Sequence, residues 1–126
     1  MVQLFGSATR WDEEIAAYSP QEFQAMVDHM ERLNEDLGAA GELVQAEGLG
    51  GPALVTSVWA RDDGPPKVAE GTHDGRAEVL AGYWVVDVAD RDRAIEIAAR
   101  ASAAPGPGAA HNFPVEVHEI PSEMPR

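Results

Sequence analysis

The chain has no cysteine. That excludes a disulfide framework, a thiolate nucleophile and a zinc centre built on sulfur. It is also poor in positive charge, with nine Lys and Arg against 22 Asp and Glu and a formal net charge of −13. So acidic a surface repels phosphate backbones, and nucleic acid is not an expected partner. Anionic membrane surfaces are disfavoured for the same reason. Long hydrophobic runs are missing too: nothing approaches the roughly 20 apolar residues that span a bilayer. The opening Met1-Val2-Gln3-Leu4-Phe5-Gly6 lacks a basic flank and an extended apolar core, so no secretory signal is expected and the expected compartment is the cytoplasm.

What is present suffices for one domain. A chain of 126 residues buries roughly two-thirds of its unfolded surface and needs no covalent staple. No repeat and no internal boundary is visible, so a single domain over 1–126 is expected, with 121–126 as a loose tail.

Hydrophobic spacing then sets the elements. Residues 2–5 can form a first strand, and 6–18 reads as a loop or a single helical turn. Ser19-Pro20-Gln21-Glu22 carries a capping box with proline at the first helical position. Phe23, Met26, Val27, Met30, Leu33 and Leu37 follow at helical spacing, and Gly38 and Gly41 supply the stop, so a helix is predicted over 20–37. A weak strand over 42–47 and a glycine turn over 48–52 come next. Residues 54–61 alternate, Asp62-Asp63-Gly64 signals a hairpin, and 67–69 can return as its partner strand. After a loop over 71–76 a strand is predicted over 78–88. Asp90 is a good N-cap for a second helix, with Ala94, Ile95, Ile97, Ala98 and Ala101 as its inner face. Pro105-Gly106-Pro107-Gly108 ends it, and 113–120 reads as a last strand. Two helices cover only one face of such a sheet, while Trp59, Tyr83, Trp84 and the valines offer more apolar surface than they can shield. A second copy of the chain is the simplest cover, because closed two-fold dimers are the commonest oligomers.

Several segments, in order and at matching separations, resemble the YCII-related family of the DGPF type. They are Ser19-Pro20-Gln21-Glu22 through His29, Ala39 through Leu49, Leu80-Ala81-Gly82-Tyr83-Trp84-Val85-Val86-Asp87-Val88, Asp92 through Ala98, and Val115-Glu116-Val117-His118. The resemblance implies an α+β, ferredoxin-like antiparallel sheet with two helices on one face, paired into a dimeric α/β barrel. Counting back from Gly82-Tyr83, the family's Asp-Gly-Pro-Phe signature falls on Glu70-Gly71-Thr72-His73, whereas the literal Asp63-Gly64-Pro65 falls at the hairpin turn. The chain thus keeps a glycine at Gly71 and replaces the other three residues. It also has His118 where the family usually has arginine, and its first strand looks short.

His29 lies about a quarter turn from the apolar stripe of the first helix, at the edge of the buried face. An imidazole there suits general acid–base work in a cleft beside the sheet, or simply packs and hydrogen-bonds at a boundary. The resemblance implies that a histidine at this position acts with a carboxylate. Glu70 is the first choice for that partner, by its signature position, and Glu47 and Glu42 follow; Asp36 lies about 10 Å along the helix, too far for a direct bond. His73, Tyr83 and Trp84 are candidate binding residues, and Trp59 could line a ligand pocket with the two aromatics, though strand aromatics are more often core or interface. His29, His73, His111 and His118 show no metal-ligand spacing, so no metal is expected. The resemblance implies a cofactor-free lyase or isomerase acting on a small cyclic or aromatic-derived metabolite. The alternative is a non-catalytic module holding a small ligand or a partner chain, which the altered signature favours.

Overall fold

The computed structural model describes residues 1–123 apart from the side chain of Asp74. Residues 124–126, the end of the expected tail, lie outside the described residues. Six strands and three α-helices follow in the order β1 (Val2–Ser7), α1 (Trp11–Ala16), α2 (Pro20–Ala39), β2 (Leu43–Gly48), β3 (Thr56–Trp59), β4 (Lys67–Glu70), β5 (Glu78–Val86), α3 (Arg91–Ser102) and β6 (Val115–Val117). The main sheet has the order β2-β5-β1-β6 and is antiparallel throughout. This α+β arrangement is consistent with a ferredoxin-like fold. Strands β3 and β4 form a separate two-stranded sheet, set into the connection between β2 and β5.

The capping box forms as the residues require. Ser19 Oγ accepts from the Glu22 backbone N–H at 3.1 Å, and the Glu22 carboxylate accepts from the Ser19 N–H at 2.9 Å. Glu22 also accepts from Gly108 N–H at 2.7 Å, tying the start of α2 to the loop after α3. Helix α2 runs two residues past the expected end: Gly38 stays helical, and Gly41, at φ 71°, makes the stop. At the next helix Asp90 Oδ1 accepts from Arg93 N–H at 2.8 Å.

One face of the main sheet packs under α2 and α3. Val2, Leu33, Leu37 and Ile97 are fully buried there, joined by Trp84, Ala98 and Ala101. The inner face of α3 is Ala94, Ile97, Ala98 and Ala101, recurring at i, i+3, i+4 and i+7. Ile95 was expected among them but falls one residue off that row and is exposed. Trp84 also departs from the expectation that it helps form an uncovered surface. It pairs with Val2 and Ala46 in the register, points under the helices, and donates its indole N–H to Asn34 Oδ1 at 2.7 Å. A buried indole needs such a partner.

Three further elements differ most from their sequence reading, while β3 keeps only Thr56–Trp59 of the alternating run over 54–61. Strand β1 is six residues long, continuing through Gly6 and Ser7 opposite Val79 and Glu78. The segment before α2 contains a full short helix, α1, whose Trp11 ring lies where a side chain at Gly6 or Gly51 would have to sit. Glycine at both places lets α1 dock on β1 and on the loop after β2. Strand β6 keeps only three residues, because the chain before it is pulled to α3: Phe113 N–H donates to Ser102 O at 3.0 Å and Ser102 Oγ donates back to Phe113 O at 2.6 Å.

Candidate functional site

One cavity lies outside the helix-covered core. It is an open cleft of about 710 Å³ between the β3–β4 arm, the loop after β2 and the start of β5. That size is in the range of small-molecule sites. Leu49, Leu54, Val55, Val79 and Leu80 give it apolar walls, and Trp59 adds an aromatic edge. The polar groups are Thr56, Ser57, Thr72, His73, Arg76 and Glu78.

The arm is anchored at its base. Gly71 N–H donates to Val55 O at 2.7 Å, and Ser57 Oγ donates to Gly71 O at 2.7 Å. Gly71 sits at φ 89°, a conformation costly to any residue with a side chain. That accounts physically for the glycine at the altered signature. Beyond it, Arg76 N–H donates to His73 O and Thr72 Oγ1 donates to Arg76 O, closing the turn that presents His73 and Arg76 to the cleft. At the arm's tip Asp63-Gly64-Pro65 lies in the β3–β4 connection, as expected. That connection spans 60–66, wider than a two-residue turn, and Gly64 is not among the glycines with positive φ. Lys67, opposite Trp59 in the ladder, places its ammonium 4.7 Å from the Trp59 ring centroid.

The sequence candidates separate into three places. His29 is half-buried on α2 and faces α3, where its Nε2 donates to Arg100 O at 2.7 Å. The carbonyl can only accept, so the proton sits on Nε2. Asp36 grips the same residue from one heptad away, accepting from the Arg100 guanidinium at 2.8 Å. The pair thus clamps the end of α3 to α2. Among the described residues no hydrogen bond links His29 to a carboxylate, and His29 does not line the cleft. Glu47 and Tyr83 lie opposite each other on the sheet face away from the helices, and the Tyr83 hydroxyl accepts from Gln45 Nε2 at 3.0 Å. Glu70 ends β4 opposite Thr56 and is exposed beside Gly71. Trp84 belongs to the core. Of the named candidates, His73 and Trp59 line the cleft.

Glu42 is committed elsewhere: its carboxylate accepts from Arg93 Nε at 2.9 Å and from Arg93 Nη2 at 2.8 Å. Those bonds hold the Glu42 carboxyl below its ordinary range and raise the guanidinium in turn. The Ser19 and Gly108 N–H groups likewise lower Glu22. His118 rests on Glu116 at 2.9 Å at the surface, and among the described residues no group of three or more His, Asp or Glu could hold a metal ion.

Sequence reasoning missed Arg76. It lies in a segment without periodicity, and only a folded turn shows that it and His73 share a cavity.

With that geometry established, the YCII-related domain matches residues 10–117, most of the length. The chain belongs to the YCII-related family. No curated protein matches it. The match takes in α1, both long helices, the arm and all of β6, so the cleft is built from residues inside the family domain. No helix of the described residues is long and apolar enough to cross a membrane.

Proposed function

We propose that this YCII-related protein holds a small cyclic or aromatic-derived molecule in the arm cleft, working as a homodimer. The observation that carries this is the cleft itself: a volume of ligand size lined by apolar side chains and a few polar groups. A second copy is supported by the arm. Leu54, Val58 and Val68 are exposed by 80%, 60% and 61%, and Val58 and Val68 stand opposite each other in the ladder. An isolated two-stranded ribbon is marginal in water, so its exposed apolar pair favours burial against another surface.

A catalytic reading, a cofactor-free lyase or isomerase, is favoured by one further observation. The His73 imidazole lines the cleft and, among the described residues, has no side-chain hydrogen-bond partner. An imidazole so placed can take a proton from a bound substrate and return it. His29, with its Nε2–H engaged by a carbonyl on α3, fits a positioning role between the helices.

Amide-resolved NMR of the full chain, titrated with a mixture of small ring compounds, tests the location. Shifts concentrated at Trp59, Thr72, His73 and Leu80 are expected; shifts confined to the α2–α3 seam would overturn it. Sedimentation at micromolar concentration tests the assembly: a dimer is expected, and a compact lone protomer contradicts it.

A further inference from the structure

We infer that the arm cleft selects a molecule bearing one carboxylate, with Arg76 as its anchor. This rests on the reading that the cleft holds a small molecule, and it names the chemistry of that molecule. Positive charge is scarce in this chain, and most of the cations that pack against structure are already engaged. Arg93 is held by Glu42 and Glu96, Arg100 by Asp36, Arg10 by Glu13, and Lys67 lies over the Trp59 ring. Arg76 lines the cleft, and among the described residues it forms no ion pair. Arg32, Arg61 and Arg91 also form none there, but they do not line the cleft.

The turn that carries Arg76 is pre-shaped. Its backbone N–H is bonded to His73 O and its carbonyl accepts from Thr72 Oγ1, so the guanidinium starts from a fixed base, and His73 lines the same cleft. A guanidinium fork matches the two oxygens of a carboxylate. Two features argue for a single negative charge rather than a phosphate dianion. Glu78 lines the same cleft and repels added negative charge. The chain's net charge of −13 sets an unfavourable field for a dianion held by a single arginine. The walls of Leu49, Val55 and Leu80 and the Trp59 edge then ask for an apolar body, so the ligand class is a ring or short hydrocarbon monocarboxylate.

The test uses matched pairs of acid and primary amide: benzoate with benzamide, cyclohexanecarboxylate with its amide, and 2-furoate with its amide. Each is titrated to about 10 mM at pH 7 by amide-resolved NMR on the full chain. The carboxylates are expected to shift cleft resonances with affinities about tenfold or more above their amides. Arg76→Gln should erase that difference and leave the amides unchanged, while Arg76→Lys should restore part of it. Glu78→Gln should tighten the carboxylates by roughly two- to fivefold and not the amides, an effect no purely structural role would give. Amides that bind in the cleft as well as the acids, or an unchanged acid affinity in Arg76→Gln, overturn the carboxylate assignment and leave the cleft standing. Neither class shifting the cleft overturns both.

Discussion

The two halves of the molecule are built on opposite principles. Under α2 and α3 the sheet is closed: four side chains are fully out of water, the Trp84 N–H has a carboxamide partner, and the helices are tied by His29, Asp36 and Arg100. The arm has two short strands, exposed valines and an open cleft with an arginine that forms no ion pair among the described residues. One half can spend every polar group on stability, and the other leaves polar groups free for a ligand. The lesson is that the histidine most easily noticed in the sequence lies in the first half, and the one that lines the cleft in the second.

The widest separation between the halves should come from truncating the core. Leu33→Ala should cost about 2–5 kcal/mol in urea unfolding, since a fully buried leucine leaves a cavity. Val68→Ala on the arm should cost under about 0.5 kcal/mol in a dilute, dissociated protomer. Equal losses would erase the contrast. Asn34→Ala strands the Trp84 indole N–H beneath the helices and should cost about 1–3 kcal/mol by the same measurement. Gly71→Ala should cost about 1–2 kcal/mol, from a side chain forced to φ 89°, and should reduce ligand affinity because it reshapes the base of the arm.

Acid titration sharpens the comparison by direction. Glu42 and Glu22 have folded-state pKa values below the ordinary 4.5. Their contribution is therefore complete above that value and is lost as pH falls through the lowered folded value. The urea midpoint should drop below pH 4.5, and Glu42→Gln should flatten part of the drop. A midpoint that rises on acidification would contradict the roles of Arg93 and the capping N–H groups.

Legibility followed the same division. The covered half was readable because helical spacing, the Ser19-Pro20-Gln21-Glu22 cap and the Asp90 cap each state a local physical requirement, and each formed. Trp84 was assigned to the wrong surface because alternation tells which residues share a face, not which face the helices cover. Ile95 was misplaced because two adjacent apolar residues compete for one narrow helix face, and Ala94 took it. In the arm, Asp62-Asp63-Gly64 rightly marked a reversal, but the connection runs over 60–66, wider than that signal alone implies. Of the cleft, only single residues such as His73 were legible, not the cavity itself. It is made by residues 49–59 and 72–80 coming together through a tertiary arrangement that no local pattern encodes.

The most direct single measurement is the affinity of His29→Ala for the tightest-binding carboxylate of the matched set, taken where urea unfolding shows the variant folded. Loss of the bond to Arg100 should lower stability by about 0.5–1.5 kcal/mol while the dissociation constant stays within about twofold of the parent, a free-energy change under about 0.4 kcal/mol. Binding weakened tenfold or more would place the site at the seam between α2 and α3 and contradict the division of labour on which the account rests.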